Sequence, residues 1–236
     1  MRTLLLALIM MLSTMASAAG DSDAAKAVTN KISKAFPSIR IDGIQESSIS
    51  GLYEIRVGKN VFYSDLSGEH VILGGQIIET STQRNLTRER MRELSLVDWN
   101  SLPFEKSIVS GNKDAKLKMA VFTDPQCPFC DRLEQELQNA PDIRVYTFLY
   151  PLEMHKDARR KCEAIWCSED RRKTFLKVFL EGADPHAERC DTPIDDIIEL
   201  GHKLGITGTP TLISEDGRMS AGWKTADDLR KWLSEK

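Results

Sequence analysis

The chain has 236 residues, of which 28% are charged and 41% are hydrophobic, and its formal net charge at pH 7 is −3. This length allows one large domain or two small ones. The mildly acidic balance, with no basic face, argues against nucleic acid as the main partner.

Residues 1–18 have the pattern of a secretory signal peptide. Arg2 supplies the positive charge, residues 4–12 form an apolar stretch too short to span a bilayer, and residues 16–18 match a small-residue cleavage site. A membrane anchor is the alternative, and the short apolar stretch disfavours it. We therefore expect cleavage near Ala18 and a soluble protein in a compartment where disulfides persist.

Residues 19–80 predict one helix followed by a small antiparallel sheet. Residues 21–36 carry apolar side chains at helical spacing, and Pro37 ends the helix. The hydrophobic period then changes to two, with glycines between short segments. A unit of this size has a marginal core, and an exposed sheet edge favours pairing with a second copy. The predicted strands are 39–41, 53–57, 61–63 and 71–78.

Residues 85–99 predict a polar helix, which we interpret as a connection between two domains within a linker of residues 81–103. The reason is that the hydrophobic periodicity differs in type on its two sides. An ordinary packed helix is the alternative.

Beyond residue 104 the predicted strands and helices alternate, and this second domain extends to residue 236. The order of strand, helix, strand, helical block, hairpin and helix is that of a thioredoxin fold with a helical insertion. The predicted strands are 118–122, 143–150, 211–214 and 219–223, and the predicted helices after the first are 155–166, 171–180, 194–204 and 225–234.

The most informative motif is Cys127-Pro128-Phe129-Cys130, which lies where a strand is followed by a helix. A C-x-x-C pair at such a junction is typical of a thioredoxin-type redox site. At a helix N-terminus the first thiolate faces unpaired N–H groups and the positive end of the helix dipole, which lower its pKa. We predict that Cys127 is an exposed, acidic nucleophile, that Cys130 is the resolving thiol, and that the two form a redox-active disulfide.

Two other interpretations of this pair remain open. Cys162 and Cys167 could complete a structural zinc site, and the pair could instead be an inert disulfide. Zinc pairs usually lie on turns, however, and a disulfide ring at a helix start is reducible. We therefore expect no metal and no other cofactor.

A second motif, Gly208-Thr209-Pro210, precedes an apolar strand. Alone it is weak, since a trans proline often begins an edge strand. Beside a C-x-x-C pair it resembles the loop of thioredoxin-like folds whose proline is cis and lies next to the sulfurs. That resemblance implies that Thr209 and cis-Pro210 bind an extended substrate chain by strand addition.

Taken together, the chain resembles the DsbC/DsbG family of periplasmic disulfide isomerases. The resemblance covers nearly all of the chain after the signal peptide, and one departure is that Pro-Phe separates the thiols where the best-known isomerases have Gly-Tyr. It implies an α+β protein with a cystatin-like dimerisation domain over residues 19–80, the linker helix, and the thioredoxin-like catalytic domain. The shared segments are 121–130, 164–167 and 205–210.

The resemblance also implies the activity and the partners. We expect a V-shaped homodimer that reshuffles misoxidised exported proteins, binds unfolded chains as a chaperone does, and receives electrons from an inner-membrane reductase of the DsbD type. A DsbG-like reductase or a dithiol oxidase is the first alternative, because the dipeptide between the thiols tunes the redox balance. A non-enzymatic holdase is the second.

The five cysteines leave one thiol over. The resemblance implies a structural disulfide between Cys167 and Cys190, and Cys162–Cys190 remains the alternative. Cys162 and Cys167 on one helix would be too far apart to bridge. Asp124 is expected to cap the active-site helix or to tune proton transfer to Cys130. We interpret His155 and His186 as surface or loop residues.

Overall fold

The computed structural model describes residues 23–235, so the predicted signal peptide lies outside the described residues. The chain divides into two compact units, Met1–Leu94 and Ser95–Lys236. Within the described range, no helix has both the length and the apolar character needed to cross a bilayer.

The first unit packs helices against a four-stranded antiparallel sheet. Helix α1, Asp23–Ala35, directs the buried side chains of Ala25, Val28 and Ile32 toward the sheet, where they join Ile55 and Phe62 in one apolar cluster. The strands lie in chain order, β1 (Gly43–Glu46), β2 (Leu52–Val57), β3 (Asn60–Asp65) and β4 (Val71–Ile72). A two-stranded hairpin, β5 (Ile78–Glu79) and β6 (Arg84–Asn85), precedes α2 (Leu86–Leu94).

One predicted strand of this unit is wrong, and another segment is divided at its glycines. Residues 39–41 are not a strand, because a turn after α1, in which the Ile39 N–H donates to the Phe36 carbonyl, delays sheet pairing until Gly43. The segment predicted over 71–78 is divided into β4 and β5, as the glycines at 74 and 75 indicate, because Gly74 has a left-handed backbone with φ +71°.

Helix α2 is shorter than the predicted 85–99 and packs on the sheet of its own unit. The hydroxyls of Thr87 and Tyr63 are hydrogen-bonded, and Arg90 Nε lies 3.0 Å from a carboxylate oxygen of Glu54. After Leu94 the backbone belongs to the second unit, where the Val97 N–H donates to the Gly217 carbonyl. The linker role of residues 81–103 and the predicted domain boundaries stay predictions.

The second unit is a five-stranded sheet covered by helices. The strands are β7 (Ile108–Ser110), β8 (Leu117–Thr123), β9 (Ile143–Leu149), β10 (Thr211–Ser214) and β11 (Met219–Ala221), in the spatial order β11-β10-β8-β9-β7. Only β8 and β9 are parallel. Central strand β8 is apolar on both faces because helices or strands cover it on all sides, and Met119, Ala120 and Phe122 are fully buried.

The helices of this unit are α3 (Pro128–Gln138), α4 (Ala158–Cys167), α5 (Arg171–Glu181), α6 (Ile194–Leu204) and α7 (Ala226–Ser234). Helices α4, α5 and α6 lie between β9 and β10, which is the predicted helical insertion. The β8–α3–β9 unit followed by β10, β11 and α7 confirms the predicted thioredoxin arrangement. Sequence reasoning missed the three-residue strand β7, which pairs with β9 at the sheet edge.

Candidate active site

The two thiols of the C-x-x-C motif lie where β8 passes into α3. Cys127 occupies the position before the first helical residue, Pro128, and the Cys130 N–H donates to the Cys127 carbonyl at 2.9 Å. Both thiols are free in this structure. Cys127 is only 5% exposed and Cys130 only 1% exposed, so the prediction of an exposed nucleophile is wrong. The loop that ends in Pro210 lies against Cys127 and limits the access of solvent.

That loop contains the second predicted motif. The Thr209–Pro210 peptide bond is cis. The Cys127 thiol donates to the Thr209 carbonyl, with 3.2 Å between Sγ and the oxygen. The structure therefore brings together Cys127 and Thr209, which are 82 residues apart in the sequence.

The environment of the thiols makes them chemically unequal. The pKa of Cys127 is lowered to about 5, first because Cys130 donates a hydrogen bond to its sulfur and then because of the Thr209 side chain and the backbone N–H groups of Cys130 and Phe129. Burial opposes this shift. The pKa of Cys130 is raised, first by burial and then by the neighbouring Cys127. At neutral pH the site thus contains one thiolate and one thiol that donates to it.

Thr209 has a hydroxyl that can donate a hydrogen bond to the Cys127 thiolate. Its Oγ1 is buried and has no hydrogen-bond partner in the structure. A buried hydroxyl without a partner is costly, and ionisation of Cys127 supplies an acceptor beside it. The Thr209 side chain therefore favours the thiolate form.

Asp124 does not cap α3, so that prediction is wrong. Its buried carboxylate accepts hydrogen bonds from the Gln126 and Leu152 N–H groups, at 2.7 and 2.6 Å, and so holds the loop between β8 and α3. The cap position belongs to Cys127 because the chain needs residues 124–126 to turn from the strand into the helix. The backbone N–H of Asp124 donates to Cys130 Sγ at 3.5 Å.

His155 lies beside this buried carboxylate in the loop before α4, which agrees with its prediction as a surface or loop residue, although its side chain is mostly covered. Its Nδ1 is 2.9 Å from Asp124 Oδ2, and its side chain is 22% exposed. The atoms are not aligned for a hydrogen bond, so this is a close polar contact. The sequence carried no signal for it, because the residues are 31 positions apart and only the fold joins them. His186 has an 80% exposed side chain, near Asp184.

The other three cysteines lie within the helical insertion. Cys167 and Cys190 form a disulfide with a Cα–Cα distance of 5.6 Å, which ties the end of α4 to the segment before α6. In the chain-entropy model a loop of this length stabilises the fold by about 3.5 kcal/mol. Cys162 is a fully buried free thiol, and burial raises its pKa well above the ordinary value. Among residues 23–235, no three His, Cys, Asp or Glu side chains are grouped so that they could hold a metal ion.

Sequence reasoning also missed a buried ion pair on the active-site helix. Glu134, one turn beyond Cys130, is 4% exposed and lies 2.8 Å from Arg172 Nη2 on α5. Burial raises the pKa of Glu134, which Arg172 opposes. In the sequence Glu134 resembles any polar residue on an amphipathic helix, because its partner is 38 residues away.

Comparison with known proteins adds independent evidence. A family model for the thioredoxin-like domain matches residues 104–236, and one for the N-terminal domain of the disulfide bond isomerase protein matches residues 16–88. A probable thiol:disulfide interchange protein DsbC of Bordetella avium is 34% identical over 88% of this chain and 74% of its own length. The chain belongs to the DsbC family of thiol:disulfide interchange proteins.

Other members and structures agree with this assignment. The thiol:disulfide interchange protein DsbC of Escherichia coli K12 is 28% identical over 84% of this chain and 83% of its own length. A crystal structure of a disulfide interchange protein from Neisseria gonorrhoeae, at 37% identity and a TM-score of 0.53, covers 57% of this chain and 100% of its own. The predicted family, fold class and thiol:disulfide oxidoreductase activity are therefore confirmed.

Proposed function

We propose that this DsbC-family chain is a periplasmic protein disulfide isomerase, and the observation that carries the proposal is the inequality of its two buried thiols. Cys127 has a pKa of about 5, whereas the pKa of Cys130 is raised. A thiolate at Cys127 can attack disulfides at neutral pH, and the protonated Cys130 does not compete with it as a nucleophile.

Each step of the exchange balances without a cofactor. The Cys127 thiolate attacks one sulfur of a wrong substrate disulfide, forming a mixed disulfide and releasing the other sulfur as a thiolate. A different substrate thiolate then attacks the mixed disulfide, so that a new substrate disulfide forms and Cys127 leaves as a thiolate. No net oxidation or reduction occurs in this cycle.

Cys130 resolves the mixed disulfide when no substrate thiol does so. It loses its proton and attacks Cys127, which yields the Cys127–Cys130 disulfide and a reduced substrate. The enzyme then needs two electrons, and we propose an inner-membrane reductase of the DsbD type as their source. The low pKa of Cys127 stabilises the dithiol form, which is the form that isomerisation requires.

We propose that Thr209 and cis-Pro210 bind the substrate backbone. Thr209 lies against the nucleophile through its carbonyl. An extended substrate chain can pair with this loop as an added strand, which places a cysteine of that chain beside Cys127. The Cys167–Cys190 bridge is proposed as structural, because it ties down the insertion next to the thiols.

We infer the organisation of the whole molecule from the same resemblance. Residues 1–18 are a signal peptide cleaved near Ala18, residues 19–80 form a homodimerisation domain, residues 81–103 link it to the catalytic domain at 104–236, and the mature protein works in the periplasm. The match of the N-terminal family over residues 16–88 supports this. Exposed apolar side chains in the first unit also support an interface there, namely Leu66, Ile72 and Leu73.

In sedimentation equilibrium we expect twice the mass of one mature chain, and a single-chain mass at micromolar protein would contradict the dimer.

Refolding of a scrambled multi-disulfide protein tests the activity. We expect catalytic amounts of the reduced chain to restore native disulfides, while the chain oxidised at Cys127–Cys130 restores them only after a thiol reductant is added. Rapid oxidation of reduced substrates without rescue of scrambled ones would contradict the isomerase and favour a dithiol oxidase. Suppression of aggregation without any change in disulfides would favour a holdase.

A further inference from the structure

A cationic surface beside the nucleophile has no role in the exchange steps above. It consists of Phe129, Arg132 and Trp223, and we call it the Arg132 platform. Phe129, between the two thiols, is 51% exposed. The Arg132 Cζ atom lies 5.6 Å from the centroid of the Phe129 ring and 5.9 Å from that of Trp223. The guanidinium is therefore within cation–π distance of both rings.

The platform lies where a substrate chain would dock. Phe129 is two residues from Cys127 on the active-site helix. Trp223 follows Gly222, whose N–H donates to the Pro210 carbonyl at 2.8 Å. The guanidinium thus bridges the helix of the thiols and the segment next to the cis-proline loop.

The charge of Arg132 is not neutralised within the described chain. Arg159, Arg160, Arg172, Arg218 and Arg230 all pair with carboxylates of this unit. Among residues 23–235, no carboxylate lies within ion-pair distance of Arg132. Arg144 and Arg171 also lack a carboxylate partner, but they donate to the Gly111 and Trp166 carbonyls.

The acidic side chains on its helix interact with other groups, and Glu134 among them pairs with Arg172. Asp131 is half-buried, and its pKa is raised first by this burial and then by the charge of Cys127, while Lys161 of α4 opposes the shift. Glu136, four residues after Arg132, accepts a hydrogen bond from the Ala226 N–H at 2.9 Å. The guanidinium is therefore left available to a group from outside the chain.

We propose that the Arg132 platform is a specificity subsite for an aspartate or glutamate side chain close in sequence to the attacked substrate cysteine. Cation–π contacts use none of the N–H donors, and among residues 23–235 Arg132 donates no hydrogen bond, so its fork of donors can bind a carboxylate. This inference rests on the proposed function, since it adds a side-chain preference to the backbone docking at Thr209 and Pro210.

The test uses peptides whose single cysteine carries a coloured thiol in a mixed disulfide. Glutamate, glutamine or lysine is placed in turn at each of the two positions before and after that cysteine, and the second-order rate with reduced protein is measured at low salt. We expect glutamate to react at least about threefold faster than lysine at one or more positions, the range of an accessible ion pair. Arg132→Glu should reverse that order, and Arg132→Gln should remove it.

Lys113→Glu is the matched control. It makes the same change of charge on an exposed lysine that precedes β8. The thiols lie at the other end of this strand, which is about 20 Å long. We expect it to keep the native preference. Ratios of rates within one variant cancel any effect of the substitution on the Cys127 thiolate itself.

The outcomes separate the subsite from the underlying activity. A glutamate-to-lysine ratio that is the same in the native protein and in Arg132→Glu at all positions would overturn the subsite. If 2-hydroxyethyl disulfide, which has no charge, still reacts in that case, the proposed function stands without it. If the native protein reacts neither with the peptides nor with this small disulfide, the proposed function itself fails.

Discussion

Replacement of Cys127 by serine is expected to lower disulfide exchange at least about a thousandfold, to the uncatalysed background, because a serine hydroxyl is not ionised near neutral pH and forms no disulfide. The measurement is the reactivation rate of a scrambled substrate. The fold should be unaffected, since the two side chains differ by one atom and Cys127 lies at the start of α3 rather than within it.

Cys162→Ala is the matched control for this loss. Cys162 is a free cysteine in the same apolar cluster as the active-site thiols, but it is fully buried and burial raises its pKa. We expect this variant to keep the native exchange rate with some loss of stability from the small cavity. If exchange survives in Cys127→Ser and disappears in Cys162→Ala, the nucleophile is Cys162 and not Cys127.

Replacement of Cys130 by alanine is expected to trap substrates as mixed disulfides. The reason is that Cys130 can no longer attack Cys127 and release the substrate. Complexes should accumulate on non-reducing gels and disappear with dithiothreitol. The double variant Cys127→Ala/Cys130→Ala should form none. If Cys130→Ala accumulates no more covalent complex than the native protein, then Cys130 is not the resolving thiol.

The same variant should change the acidity of the nucleophile. The hydrogen bond from Cys130 is the first cause of the low pKa of Cys127. We therefore expect the pKa of Cys127 in Cys130→Ala to rise from about 5 toward the ordinary cysteine value. Alkylation of Cys127 at pH 6 should become slower as the thiolate fraction falls, and an unchanged rate would show that other groups hold the thiolate.

Local sequence signals predicted much of the fold. Helix α6 has the predicted bounds, Ile194–Leu204, because Pro193 precedes it and Gly205, with φ +74°, ends it. The C-x-x-C motif located the helix of the thiols for a similar reason, since Pro128 suits a first helical position. Strand β7 was missed because three residues carry too little pattern to distinguish a strand from a loop.

Contacts between distant segments could not be predicted in this way. The carboxylate of Asp124 contacts His155 and the Leu152 N–H, and neither partner follows from spacing. Arg132 and Trp223 are 91 residues apart and meet only because the β10–β11 hairpin returns to the active-site helix. The low exposure of Cys127 has the same origin, since the residue that covers it, Thr209, is equally remote in sequence.

The most direct test of the central claim is the pH titration of Cys127 in the reduced protein, followed by its alkylation rate and by thiolate absorbance at 240 nm. Cys130 and Cys162 stay protonated over this range because their pKa values are raised, so the signal reports Cys127. We expect a midpoint near pH 5, with full reactivity at pH 7. Below the midpoint the rate should fall about tenfold per pH unit as the thiolate is protonated. A midpoint at pH 8 to 9, the range of about 8.5 for an ordinary cysteine, would contradict the account.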